Sequence, residues 1–159
     1  MFTDEQFTSL AQKYMDTVFR LAFSYMKSRA DADDITQNVL LKLYRTDTDF
    51  QSEAHIRNWL LRVTINECKQ AFRSPWRKTE NLEDYANTLS LPDDGQRELL
   101  QTVMSLPPDY RVALYLYYYE DHTTDEISRL LNIPAATVRT RLARGREKLR
   151  KVLTEAEAL

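Results

Sequence analysis

Apolar residues recur at intervals of three and four along most of this chain and almost nowhere alternate, so the pattern predicts helices and nearly no strand. Phe7, Leu10, Tyr14, Val18, Leu21 and Tyr25 trace a first amphipathic helix that ends near Lys27 to Ala30. A second is expected to start at Asp31, Asp33 and Asp34, where carboxylates favour the positive end of a helix, and to face inward through Ile35, Val39 and Leu43. On composition alone that acidic group carries about even weight as nothing more than a cap, since aspartates at a helix start are common. After a polar connection from Arg45 to Ser52, a third helix is expected from about Ala54 to Arg73. The rhythm returns over Gln96 to Leu106, stops at Pro107 and Pro108, and resumes through Tyr110, Leu114 and Tyr117. The tyrosines Tyr115, Tyr117, Tyr118 and Tyr119 are expected to pack against the C-terminal helices, a ring buried and a hydroxyl wet.

From Thr123 onward the pattern gives a short helix, a tight turn and a longer basic helix. Thr123 stands three residues before Glu126, the spacing at which hydroxyl and carboxylate satisfy each other's end of a starting helix. Ile127, Leu130 and Leu131 give it one apolar stripe, Asn132 tolerates a left-handed cap, and Pro134 suits the first turn of the next helix. In that helix Val138, Leu142, Leu149 and Val152 are expected to be buried, while arginines and lysines from Arg139 to Lys151 fill the other faces. This is the pattern of a helix-turn-helix, whose second helix enters the major groove with its early residues at the base edges. Thr137, Arg139 and Thr140 are placed to approach bases, and arginine suits both guanine edges and phosphates. A solvated basic helix is the competing reading, and the capped first helix and the turn weigh against it.

The third helix carries two interleaved rows, apolar Leu61, Ile65, Cys68 and Phe72 beside polar Arg62, Asn66, Lys69 and Arg73. One row packs and the other meets something anionic. Phe50, an aromatic with nothing evident in its own stretch to bury it, and Trp59 lie close to that basic row. Cations along a backbone with rings for unstacked bases are what a single nucleic-acid strand requires. Trp59 is also open to a plain core role.

Composition changes the picture in several places. With two glycines and five prolines in 159 residues, the chain reads as all-α, and Ser74 to Gly95, with Pro75, Pro92 and a run of acids, reads as a flexible linker. Two small helical domains are therefore expected, residues 1–73 and 96–159, joined by an acidic linker over 74–95. The formal net charge of −2 hides a basic C-terminal region, and local fields decide what binds. The single cysteine, Cys68, excludes an internal disulfide and any cysteine metal cluster, and suits a reducing compartment. The acids Asp4 and Glu5 and the lack of a long apolar run give no sign of a signal peptide or membrane span, so a cytoplasmic protein with no membrane insertion of its own is expected. His55 and His122 have neither nucleophile nor ligand partner nearby and no glycine-rich phosphate loop is present, so no catalytic residue, metal or cofactor is expected.

Three segments together carry a family resemblance: Asp31 to Gln37, Trp59 to Asn66, and Leu106 to Arg111 together with the helix-turn-helix ending at Leu142. In this order and spacing the chain resembles a bacterial RNA polymerase sigma factor of the extracytoplasmic-function type, the small class of the sigma-70 family with only the second and fourth conserved regions. The resemblance implies a non-enzymatic protein that binds core RNA polymerase through its beta-prime and beta subunits, recognises two elements of promoter DNA and opens the downstream one. It implies that Asp34 and Gln37 dock on the beta-prime clamp helices. It also implies that Phe50 and Asn66, with Trp59, Arg62, Lys69 and Arg73 on the same surface, meet the minus-10 element, Phe50 and Asn66 capturing a flipped base. Thr137, Arg139, Thr140, Arg141, Arg144 and Arg146 correspond to the surface that reads the minus-35 element. The acidic linker corresponds to a segment near the RNA path, and an anti-sigma protein is an expected partner. Asn38, Ile65 and Gln70 depart from the family's usual acidic, basic and acidic residues. Gly145 replaces a usual alanine, which should cost the helix about 0.5 to 1 kcal/mol unless packing needs it, and should end the DNA-reading portion early. The other functional reading of the same residues is a stand-alone helix-turn-helix regulator.

Overall fold

The computed structural model describes residues 2–73, 99 and 101–158, and the chain divides into two compact units, Met1–Thr79 and Glu80–Leu159. The expected linker, residues 74–95, lies wholly outside the described residues. Every regular element among the described residues is a helix.

The first unit is built from α1 (Asp4–Met26), α2 (Arg29–Arg45) and α3 (Glu53–Phe72), each packed on the other two. Thr3 caps α1 reciprocally: its Oγ1 accepts from the Gln6 N–H at 3.1 Å while Gln6 Oε1 accepts from the Thr3 N–H at 2.9 Å. At the other end Lys27 turns left-handed, φ 54°, and its N–H closes on the Phe23 carbonyl at 3.1 Å. The next residue, Ser28, is then already in place to cap α2, its hydroxyl accepting from the Asp31 N–H at 3.2 Å. That cap corrects the expected start: α2 begins at Arg29, only Asp31 lies in its first turn, and Asp33 and Asp34 fall on its exposed side. Ser52 caps α3 in the same way, so that helix starts at Glu53 and ends at Phe72.

Leu21, Phe23 and Met26 of α1, Leu43 of α2 and Leu60, Leu61 and Ile65 of α3 are almost wholly buried. Each such side chain contributes roughly 1.5 to 3 kcal/mol by leaving water. Cys68 lies among them, and burial pushes its thiol far above the usual range, which marks it as a packing residue and not a nucleophile.

In the second unit Leu99 and residues 101–104 are helical, and Val103 and Met104 are buried. Pro107 and Pro108 then start α4 (Pro108–Tyr118), and neither can donate to the carbonyls before it. The buried Arg111 takes over that task, its Nη1 donating to the Leu106 carbonyl at 3.0 Å. The chain leaves α4 through a left-handed Asp121, φ 56°, and His122 N–H returns to the Leu116 carbonyl at 3.0 Å. Thr123 and Glu126 form the expected capping box of α5 (Thr124–Leu131), with bonds of 3.1 and 3.2 Å. Asn132 is the expected left-handed cap, φ 56° and ψ 49°. With so few glycines, the left-handed positions fall to Lys27, Asp121 and Asn132, the last two being side chains that tolerate them.

The final helix, α6, runs unbroken from Ala135 to Ala158, beginning one residue after Pro134. Val138 and Leu142 are buried as expected, but Leu149 is half-buried and Val152 is 39% exposed. The missing place in the stripe belongs to Gly145, which is buried. A Cβ there would stand 3.0 Å from Leu114 Cδ1 and 3.4 Å from Tyr110 Cβ. Gly145 therefore does not end the helix; its bare backbone lets α4 lie against α6.

Candidate nucleic-acid interface

In the first unit, the residues Trp59, Arg62, Asn66, Lys69 and Arg73 succeed one another at three- and four-residue steps, which places them along one face of α3. Arg62, Asn66, Lys69 and Arg73 are exposed, while Leu61, Ile65 and Cys68 on the adjacent face are buried, so the two expected rows are real. Trp59 stands half-buried at the start of the row, next to the connection from Thr46 to Ser52.

Phe50 is not bare. Its ring is stacked on Phe2 with centroids 5.7 Å apart and 14° between planes, and meets His55 at 5.0 Å and Trp59 at 5.6 Å in T-shaped contacts. The connection is further shaped by Gln51 N–H donating to His55 Nδ1 at 3.1 Å. The cover comes from outside the stretch Arg45 to Ser52, from Phe2 ahead of α1 and from His55 and Trp59 within α3. Phe50 and Trp59 are thus brought into contact, and the basic row leads away from them along α3.

The exposed side of α2 carries Asp34, Gln37 and Asn38, again at helical neighbour spacing. The stripe continues through Leu41 and Tyr44, 43% and 42% exposed, which sequence reasoning did not single out. Their signal was available: both fall out of phase with the buried Ile35, Val39 and Leu43. Tyr44 is steadied by an edge-to-face contact with Phe7 at 5.0 Å and a 3.2 Å hydrogen bond to Asp4 Oδ1. A stripe that passes from acid to amide to apolar suits a protein surface better than a phosphate backbone. Between this stripe and α3, a cleft of about 520 Å³ is lined by Asn38, Leu41, Lys42, Arg45, Thr46, Trp59 and Glu67, with Lys42 paired to Glu67.

In the second unit, α5 and α6 hold the helix-turn-helix. Ser128 Oγ donates to the Ile133 carbonyl and fixes the turn at its middle. The six candidate residues of α6 separate into two groups. Arg139, Thr140 and Arg144 are exposed and Thr137 half-buried at the start of the helix, with the Thr140 hydroxyl donating back to the Ala136 carbonyl at 3.0 Å. Arg141 and Arg146 are engaged by α4. The Arg141 guanidinium is 3.8 Å from Asp109, a loose surface pair of about 0 to 1 kcal/mol that a phosphate could displace. Arg146 Nε donates to the Tyr118 hydroxyl at 2.6 Å, and its guanidinium lies 5.6 Å from the centroids of both Tyr117 and Tyr118. The tyrosine expectation holds in part, since Tyr115 is buried while Tyr117 and Tyr118 keep 36% and 53% of their surface exposed beside Arg146.

Among the described residues no group of His, Cys, Asp and Glu could hold a metal ion, and no helix is long and apolar enough to cross a membrane.

Comparison with known proteins gives this arrangement a context. Residues 10–78 match the family model for sigma-70 region 2, and residues 96–149 match that for sigma-70 region 4. The chain is 28% identical to the ECF RNA polymerase sigma factor SigW of Bacillus subtilis, over 95% of this chain and 90% of that one. It is 28% identical to the RNA polymerase sigma-H factor of Pseudomonas aeruginosa, over 92% and 86% of the two chains. Among solved structures, the sigma factor RpoE in complex with the anti-sigma factor NepR from Bartonella quintana shares the fold, with a TM-score of 0.72 at 17% identity, covering 93% of this chain and 96% of that one. CnrH in complex with the cytosolic domain of CnrY gives a TM-score of 0.68 at 21% identity, covering 96% and 90%. With regions 2 and 4 matched in order, and with relatives of the same kind along nearly the whole length, the chain belongs to the sigma-70 family as an ECF-type RNA polymerase sigma factor.

Proposed function

We propose that this sigma factor divides promoter recognition between its units, with α3 and Phe50 meeting the unwound minus-10 strand and the start of α6 reading the minus-35 duplex. The observation that carries this reading is the face of α3, where Trp59, itself against Phe50, leads into Arg62, Asn66, Lys69 and Arg73. Unpairing a base costs a few kcal/mol, and stacking on rings beside a cationic backbone track offsets it. In the second unit, Thr137, Arg139, Thr140 and Arg144 supply base and phosphate contacts. Arg141 joins them by releasing Asp109, and Arg146 serves the phosphates from its place over the tyrosines.

The α2 stripe of Asp34 and Gln37, extended by Leu41 and Tyr44, is the docking surface for the beta-prime clamp helices of core RNA polymerase, and the beta subunit is the second contact. Chemistry belongs to the polymerase and none to this chain, which works in the cytoplasm where the polymerase is. One solved neighbour is bound to an anti-sigma factor, and the same kind of partner is inferred here. Residues 1–73 and 96–159 act as the two domains, with 74–95 as the acidic linker between them.

The test is transcription by purified core RNA polymerase on a fragmented genomic library, with and without the protein, and sequencing of the new transcript starts. Starts that share an upstream and a downstream motif are expected. Specific duplex binding by the protein alone, without new starts, would replace this reading with a stand-alone regulator.

A further inference from the structure

Arg146 follows Arg139 by seven residues, just short of two full helical turns, so the two share a side of α6 with roughly 10 Å between them along its axis. A recognition helix enters the major groove by its first turns, and a side chain two turns later has left the base edges for the backbone at the rim of the groove. Arg146 is exposed, yet its conformation is settled before any DNA arrives. Its Nε donates to the Tyr118 hydroxyl at 2.6 Å, and its guanidinium lies 5.6 Å from the centroids of Tyr117 and Tyr118, whose rings meet edge to face at 4.9 Å. Among the described residues, neither Nη of Arg146 has a hydrogen-bond or ion-pair partner. The neighbouring acid, Glu147, is turned to Arg150, whose Nη2 donates to it at 2.8 Å. The kind of acceptor matters. A carboxylate at position 118 would hold the guanidinium more firmly and cancel its charge, whereas a hydroxyl holds it and brings no charge of its own.

We infer that Tyr118 is a positioning residue for a phosphate clamp: its hydroxyl fixes the Arg146 guanidinium so that both Nη atoms fork onto one backbone phosphate of the minus-35 duplex with the arginine's charge left whole. This rests on the reading that the start of α6 meets that duplex and Arg146 its phosphates. A free arginine must freeze several torsions when it binds; one held in advance over two rings has already done so.

The test uses holoenzyme reconstituted from core RNA polymerase and the full chain, bound over a series of salt concentrations to duplex DNA carrying a randomised segment, with the bound fraction measured and sequenced. Tyr118→Phe keeps the ring and removes only the hydroxyl; it should weaken binding about threefold. The loss should be the same across the selected sequences, because a phosphate contact carries no base information. In an Arg146→Ala background the same change should cost nothing. Tyr118→Glu should pair with Arg146 and make the slope of log binding against log salt shallower by about 1, as Arg146→Ala does. A bond between Tyr118 and Arg146 that served packing alone would leave that slope unmoved. The inference is overturned if Tyr118→Phe binds as tightly as wild type, if its loss persists beside Arg146→Ala, or if Tyr118→Glu keeps the wild-type slope. Arg146→Ala separates the two readings. A shallower slope there with Tyr118→Phe silent removes the role of Tyr118 alone, whereas a wild-type slope removes Arg146 as a phosphate contact and the clamp with it.

Discussion

Replacing Gly145 by alanine sets helix propensity against packing at one carbon atom. In an open helix the change would stabilise α6 by about 0.5 to 1 kcal/mol, because glycine loses more freedom on folding and has no methyl to bury. Here the new Cβ would meet Leu114 Cδ1 at 3.0 Å, Leu114 Cγ at 3.2 Å and Tyr110 Cβ at 3.4 Å. Leu114 is buried at 2% exposure, and Tyr110 Cβ is pinned to the backbone of α4, so neither has an easy retreat. Overpacking of this kind costs about 1 to 3 kcal/mol, and the net expectation is a destabilisation of about 1 kcal/mol. Amide hydrogen exchange in α4 and α6 of the full chain reads this directly, as faster exchange of about fivefold, while α1 to α3 remain unchanged. The double-mutant cycle with Leu114→Ala is the sharper measurement. Once the clashing carbons are gone, Gly145→Ala should become stabilising by roughly the propensity difference. If Gly145→Ala is already stabilising with Leu114 intact, α4 yields freely and the packing argument is refuted.

Thr123→Ala should cost about 1 kcal/mol of stability in the second unit, measured by the same exchange, because the N–H of Glu126 loses its acceptor. The partner carboxylate of Glu126 is held below the usual range, first by the Thr123 N–H and then by His122. Its contribution is therefore complete above the ordinary glutamate pKa and is lost as pH falls through the lowered one; Glu126→Gln should flatten that acid limb of the melting curve. Asp34→Arg should abolish retention of the protein on immobilised core RNA polymerase while leaving helix content unchanged, and undiminished retention would remove α2 from the docking surface. Asn66→Ala should leave promoter binding by holoenzyme intact but lower permanganate reactivity of the unwound region, so normal reactivity would count against a role in base capture. Arg139→Ala and Arg146→Ala should differ: the first weakens binding of minus-35 duplex with little change in melting temperature, whereas the second also loosens α4, since Arg146 lies over Tyr117 and Tyr118.

Helical periodicity by itself determined the class of fold and the inward rows of α1 and α3, because a helix repeats its faces at a fixed local spacing. The capping box at Thr123 and the left-handed Asn132 were equally legible, since caps act over three or four residues. The family resemblance rested on three local motifs and was confirmed by matches to both conserved regions. What the sequence left open depends mostly on contacts between elements, the start of α2 being the local exception. The start of α2 moved to Arg29 because Lys27 ends α1 in a turn that delivers Ser28 as a cap. Gly145 reads as a weak point along α6 and proves to be the place where α4 fits, which only Leu114 and Tyr110 reveal. Phe50 looked uncovered until Phe2, His55 and Trp59 closed around it. The arginines of α6 looked alike in sequence, and the fold sorted them, since Asp109 and Tyr118 reach Arg141 and Arg146 and leave Arg139 and Arg144 exposed. Local hydrogen bonding and periodicity are written into neighbouring residues; which side chain stays available for a partner is decided by contacts that form only when distant helices pack.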